Sequence, residues 1–164
     1  MFRQKVQEDD LEVYLYANQK KIYRFAYSYT HNDADTKDMI QLAMCKAFQK
    51  LPTLKQVDYM ETWFYRILIN TCLDHLRTTK KEAFYPLKED AFITQMEDIA
   101  LKEQLHTLLL QLDATTRTIL ILRFFEDRKL DEIADIMEMP LSTVKTRLYK
   151  GLATMRIQME EDEL

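Results

Sequence analysis

The sequence predicts an all-α protein of two small helical domains joined by a linker, the C-terminal one a helix-turn-helix. Three observations point there. One glycine and three prolines in 164 residues leave few turns for a sandwich or barrel. Hydrophobic residues at 47% beside 30% charged residues describe a globular chain, not a disordered one. Apolar residues recur at three- and four-residue steps through two long stretches, and the pattern dissolves between them. The expected domains are 1–81 and 99–164, with 82–98 as the linker.

In the first stretch, Val13, Ala17, Ile22, Phe25, Ala26 and Tyr29 suggest one helix. The periodicity breaks at His31–Asp35, where Asp33 or Asp35 caps a second helix running to about Leu51. Pro52 forces a turn, and a third helix begins near Asp58 or Tyr59. The segment KEAFYPLKEDAFITQMED then mixes a proline, acids and scattered apolar residues, as a linker does. Periodicity resumes at Ile99, Leu101, Leu105, Leu108, Leu109 and Leu112.

The segment LDEIADIMEMPLSTVKTRLYKGL carries the strongest local signal. Leu130, Ile133, Ala134 and Met137 form one stripe at i, i+3, i+4, i+7. Met139 and Pro140 occupy a turn in which Glu138 or Met139 takes the left-handed conformation that glycine usually fills. Ser142 or its neighbour caps the next helix, whose buried stripe is Val144, Leu148, Leu152 and Met155. Ser142, Thr143, Lys145, Thr146, Arg147, Tyr149 and Lys150 then face outward or stand at the helix start. Cations and hydroxyls there suit phosphates and base edges in a major groove. The bland alternative is a helical hairpin with a solvated basic face.

The formal net charge is −4, but its distribution matters more than the total. From Leu141 to Met159 the chain carries Lys145, Arg147, Lys150 and Arg156 and no acid. No apolar run reaches the ~18–20 residues that span a bilayer, and the first residues lack the apolar core of a signal peptide. A cytoplasmic protein without membrane insertion is the expectation. Cys45 and Cys72 form no CxxC motif and read as buried, reduced thiols. His31, Asp33 and Asp35, or Cys72 with His75, supply no convincing metal shell. The single glycine excludes a Gly-rich phosphate loop. No metal, cofactor, catalytic residue or small-molecule substrate is therefore expected, and the protein reads as a non-enzyme.

At ~100° per residue, Tyr59, Trp63, Arg66, Asn70, Asp74 and Arg77 share one narrow face of the third helix, opposite Phe64, Leu68, Thr71 and His75. Two readings of that face stand. Aromatic rings interleaved with cations and an asparagine make a platform on which unpaired bases stack. Alternatively, Tyr59 and Trp63 pack under the Pro52 loop, and the charges merely solvate the helix.

The runs DMIQLAMCKAFQKL and WFYRILINTCLDHLR, followed by the helix-turn-helix, resemble the extracytoplasmic-function sigma factors of bacterial RNA polymerase. Asp38 and Gln41 match that family's D-L-V-Q run. Trp63, Arg66, Asn70, Asp74 and Arg77 match its W-L-Y-R-I-A-x-N-x-x-x-D-x-x-R run. The resemblance spans about Tyr14 to Arg156, and the two runs in order ahead of the helix-turn-helix are specific. Two departures are Leu42, where the family often has Glu, and the missing turn glycine.

The resemblance implies a protein that binds core RNA polymerase and promoter DNA, with an anti-sigma factor as a regulatory partner. Asp38 and Gln41 would dock on the polymerase. The loop from about Leu51 to Glu61, with Trp63 and Asn70, would capture bases of the melted minus-ten element, and the outer face of the last helix would contact the minus-thirty-five duplex. Stacking that returns ~1–3 kcal/mol per base offsets unstacking at ~0.6–2.2 kcal/mol per step. Acids Glu82, Glu89, Asp90, Glu97 and Asp98 would lie in the polymerase's positive RNA path or on a solvated tether. On this reading, Trp63→Ala reduces open-complex formation and spares duplex binding. The competing reading is a free-standing helix-turn-helix regulator acting without core polymerase.

Overall fold

The computed structural model describes residues 5–79 and 99–163, and all regular secondary structure among them is helical. The chain forms two compact units, Met1–Phe92 and Ile93–Leu164. The expected linker and its acids lie outside the described residues.

The N-terminal unit contains α1 (Glu8–Ala17), α2 (Gln19–Thr30), α3 (Asp33–Lys50) and α4 (Met60–Thr79). Where the sequence suggests one first helix there are two. The break falls at Asn18, whose side-chain amide donates to the Tyr14 carbonyl at 2.9 Å and competes with the helical ladder. Val13 is consequently 70% exposed and Ala17 is exposed, so neither belongs to the core stripe. Leu11 and Leu15 take that role in α1, as Ile22, Phe25, Ala26 and Tyr29 do in α2.

His31 closes α2 in a left-handed conformation, with φ at 49°. The cap of α3 is Asn32, one residue before the expected Asp33: its Oδ1 accepts from the Asp35 N–H at 2.9 Å. Asp33 and Asp35 sit instead in the first turn, where their charge favours the helix dipole. Pro52 lies in a short 3-10 turn, Leu51–Thr53, and a second such turn, Val57–Tyr59, leads into α4.

Helices α2, α3 and α4 pack on one another. Tyr65 meets Phe25 edge-on at 5.1 Å, and Phe64 meets Tyr14 at 5.7 Å. Cys72 is buried, and burial pushes its thiol up to about 12. Cys45 is exposed on α3, contrary to the expectation of a second core thiol.

The C-terminal unit contains α5 (Ile99–Gln111), α6 (Ala114–Phe124), α7 (Leu130–Met137) and α8 (Leu141–Asp162). Glu138 takes the left-handed turn position, with φ at 52°, and no glycine is needed there. Pro140 precedes α8 with no side-chain cap, so Ser142 is not the cap.

Both stripes of the helix-turn-helix are shifted from the pattern read in the sequence. In α7 the buried residues are Ile133 and Ile136, while Leu130, Ala134 and Met137 are half-buried, because α7 packs against both α6 and α8. In α8 the buried line is Val144, Leu148, Gly151 and Met155, and Leu152 is 36% exposed. A Cβ at position 151 would stand 2.7 Å from Thr116 Cγ2 and 3.3 Å from Leu120 Cδ1. The only glycine of the chain therefore sets how closely α8 crosses α6.

Gly151→Ala is expected to lower unfolding stability by ~1–3 kcal/mol through overpacking, despite a helix-propensity gain of up to ~1 kcal/mol. Urea unfolding measures it; a variant more stable than the parent would show that the crossing is loosely packed.

Candidate nucleic-acid interfaces

In the N-terminal unit the interface candidates lie on α4, which is enclosed round most of its circumference. Met60, Phe64, Tyr65, Ile67, Leu68, Ile69, Thr71 and Cys72 are all buried. What remains open is a polar strip: Asn70, Asp74 and Arg77 are exposed and Arg66 is half-buried. Asp74 and Arg77 lie 3.5 Å apart along the strip. Tyr59, 38% exposed, stands before the helix, and its hydroxyl accepts from Arg66 Nη2 at 2.9 Å. The Arg66 guanidinium also lies 5.5 Å from the Tyr59 ring centroid, within cation–π range.

Trp63 does not join that open strip. It is 8% exposed, and its indole N–H donates to Thr53 Oγ1 at 3.2 Å. Thr53 in turn donates to the Lys50 carbonyl at 2.6 Å, so the indole anchors the Pro52 turn. The helical wheel places Trp63 correctly beside Asn70 and Arg66, but a wheel has no knowledge of the 51–59 segment that folds over it. The aromatic residue exposed beside this strip is Tyr59; the buried Trp63 is tied to Thr53 and bears on Tyr59 only indirectly, through the preceding turn.

Asp38 and Gln41 are both exposed on α3, and Leu42 and Cys45 extend them into one strip at i, i+3, i+4, i+7. An apolar groove lined by Leu15, Ile22, Tyr23, Ile40, Met44 and Phe48 flanks that strip.

In the C-terminal unit the outer face of α8 carries exposed Ser142, Lys145, Thr146, Tyr149 and Lys150, with Thr143 and Arg147 half-buried. The Thr146 hydroxyl donates to the Ser142 carbonyl at 2.9 Å, and Arg156 pairs with Glu160 at 3.1 Å. All seven residues expected on this face from the sequence therefore gather along one helix, in and beside a polar groove that also takes in Asp113, Thr116 and Gly151.

Sequence reasoning missed those last three. Asp113 caps α6: its Oδ1 accepts from the Thr116 N–H at 3.0 Å and its Oδ2 from the Thr116 hydroxyl at 2.7 Å. Its Oδ1 also accepts from Arg147 Nη1 at 3.2 Å. Burial alone would push this carboxyl up. Hydrogen bonds from the Thr116 hydroxyl and N–H, the Arg147 charge and the Thr115 N–H outweigh it and hold the pKa below the usual carboxylate value. The pattern Asp-x-x-Thr ahead of an apolar run signals the cap. Nothing local signals the pairing with a residue 34 positions away.

Among the described residues no cluster of His, Cys, Asp and Glu is arranged to hold a metal, and no helix is long and apolar enough to cross a membrane.

The models of Sigma-70 region 2 and Sigma-70 region 4 match residues 15–82 and 102–155, in that order. The RNA polymerase sigma factor SigV of Bacillus subtilis is 38% identical over 148 residues, which are 90% of this chain and 89% of that protein. The ECF RNA polymerase sigma factor SigW of the same organism is 26% identical, over 86% of this chain and 84% of its own.

Among solved structures, the sigma factor RpoE of Bartonella quintana, crystallised with the anti-sigma factor NepR, shares the fold. Its TM-score is 0.71 at 18% identity, over 92% of this chain and 97% of that one. The chain belongs to the extracytoplasmic-function family of RNA polymerase sigma factors. The two matched regions favour the sigma-factor reading over a free-standing helix-turn-helix regulator.

Trp63→Ala is expected to cost ~3–5 kcal/mol of stability, as a large-to-small change in a core. Tyr59→Ala, at an exposed position, should stay within ~0.5–1 kcal/mol of the parent. Thermal unfolding of the two variants distinguishes them, and equal losses would contradict the burial described.

Proposed function

We propose that Tyr59, Arg66, Asn70, Asp74 and Arg77 hold the melted minus-ten strand while the outer face of α8 reads the minus-thirty-five duplex. On this reading Asp38 and Gln41 dock the chain on core RNA polymerase. The observation that carries the reading is α4 itself. A helix buried on nearly all sides keeps one strip open, and that strip holds an amide, two cations and a carboxylate beside a tyrosine ring.

Magnitudes shape the division of labour. With Trp63 withdrawn into the core, one aromatic ring is open, and one stacked base returns ~1–3 kcal/mol. That offsets about one or two base-pair steps at ~0.6–2.2 kcal/mol each. Asn70 supplies paired hydrogen bonds to a base edge, and Arg77 and Arg66 supply charge for the backbone. Asp74 orients Arg77 and repels phosphate from its own position. Trp63 positions Tyr59 by anchoring the loop that carries it.

The exposed strip of α3, with the groove beside it, offers polymerase a mixed polar and apolar surface. Exposed Leu42 makes the contact more apolar at that point. The chain catalyses nothing; it acts in the cytoplasm as the recognition subunit of an enzyme that does. An anti-sigma factor that covers these same surfaces would hold it inactive, as the complex of the Bartonella protein with NepR suggests.

Run-off transcription with purified core polymerase tests the assignment. Tyr59→Ala and Asn70→Ala should each lower open-complex formation about tenfold or more, read by permanganate reactivity of unpaired thymines, and leave binding to minus-thirty-five duplex unchanged. Equal loss of both activities would refute the melting role. Lys145→Ala and Lys150→Ala should each weaken promoter binding and flatten its dependence on log salt by about one unit. An unchanged slope would remove that lysine from the phosphate contacts.

A further inference from the structure

The Asp113 carboxylate belongs to two structures at once. Within α6 it is an N-cap, held by the Thr116 N–H and hydroxyl. Across the groove it is the partner of Arg147, whose Nη1 lies 3.2 Å from Oδ1 and 3.4 Å from Thr116 Oγ1. The hydrogen bonding is consistent at every atom, since the Thr116 hydroxyl donates to Asp113 and accepts from Arg147.

The two elements reach each other because Gly151 lets α8 cross α6 without a side chain between them. One arginine of the basic face is thus tied at one nitrogen to a rigid anion, while Lys145 and Lys150 are exposed on either side of it. A carboxylate on a surface meant for DNA repels phosphates. Its place there calls for a role that outweighs the repulsion.

That role follows from the shape of the guanidinium. A guanine edge offers two acceptors, O6 and N7, to a planar fork that donates two parallel N–H groups. Arg147 makes its hydrogen bonds to Asp113 and Thr116 through Nη1, and Nη2 and Nε form the other donating edge of the fork. A long side chain restrained at one end also loses less rotamer freedom on binding.

We propose that Asp113 is a specificity-determining positioning residue: it orients Arg147 so that the free edge of the guanidinium reads one guanine of the minus-thirty-five duplex. The proposal rests on the reading that α8 enters that duplex. Lys145 and Lys150, point charges on flexible stems, contribute affinity to the phosphates but no such base choice.

The test uses full-length chain reconstituted with core RNA polymerase, on a duplex promoter library randomised through the minus-thirty-five element and sequenced after transcription. Arg147→Ala should flatten a guanine preference on the order of 10- to 100-fold at one position. Asp113→Asn should flatten the same position to within a few-fold. Asparagine and aspartate cap helices about equally well, so α6 should be retained; Asp113→Ser, another capping residue, should behave the same way. The double variant Asp113→Asn with Arg147→Ala should lose no more than Arg147→Ala alone.

If Arg147→Ala flattens one position and both Asp113 variants leave it intact, Asp113 is only a tie between α6 and α8, and the proposal fails. A uniform change at all positions on replacing Asp113 also overturns it, because that is the signature of a lost repulsion or a loosened fold. Should Arg147→Ala itself leave every position unchanged, the parent reading of Arg147 fails and takes the proposal with it, and that outcome is distinct from the first two.

Discussion

A helix enclosed on nearly every side can show a partner only what its cover leaves open, and α4 is under that constraint. Each large apolar side chain it buries contributes ~1.5–3 kcal/mol, and residues 64, 65, 67, 68 and 69 are all in the core. Packing rather than helix propensity therefore sets its position and rotation. The polar strip inherits that position: Asn70, Asp74 and Arg77 stand on a helix backbone held by its buried sides. A site preorganised in this way loses little entropy when it binds a strand. Trp63 extends the same logic to the loop, since its indole fixes the Pro52 turn through Thr53 and so the approach to Tyr59.

The C-terminal unit meets a related constraint by different means. Helix α8 has to pack against α6 and α7 and still project a basic face, and 22 residues give it length for both. Its buried line runs through a glycine instead of a leucine, so core volume is traded for closeness. That closeness brings the capped start of α6 within hydrogen-bonding reach of the recognition face. The cap, the crossing and the arginine are one construction. The left-handed turn at Glu138 is its companion: a non-glycine residue there carries ~1–2 kcal/mol of strain, which the packing of Ile133, Ile136 and Val144 on either side outweighs.

How much of this is legible in the sequence depends on the range of the interaction. The helical class rests on local periodicity, and the structure bears it out; the breaks read near residues 31 and 52 fall where α2 ends and where α3 gives way to a 3-10 turn. The seven residues of α8 read as outward in the sequence lie on that helix with five exposed and two half-buried. Where local pattern competes with tertiary cover, pattern fails. Residues 130, 134 and 137 form a good stripe, yet the rotation of α7 is decided by helices on two sides of it. Leu152 fits the apolar spacing, but Gly151 occupies the buried position because α6 is too near for a side chain. Trp63 shares an arc with Asn70, and only the fold-back of residues 51–59 reveals that one is covered and the other open. Asn18 shows the reverse case, a local signal passed over, since a side chain able to bond its own backbone is a helix breaker by its chemistry.

Under the proposed function, the charge distribution favours weak duplex binding by the chain alone. The chain carries −4 overall, and the cations on the face of α8 are few, with Arg147 partly neutralised by Asp113 and Arg156 engaged by Glu160. Each phosphate neutralised adds only about 0.9 to the salt slope, so two or three contacts make a weak duplex binder. The strip on α4 is equally modest, with one open ring and two arginines, each close to a local partner. Two weak faces on one chain gain by acting together, because the second contact is intramolecular once the first is made. Docking on polymerase supplies a third. Under the proposed assignment, promoter choice is then set by the coincidence of contacts instead of by the strength of any one, and the acid beside Arg147 belongs to that economy: it gives up non-specific attraction and gains discrimination.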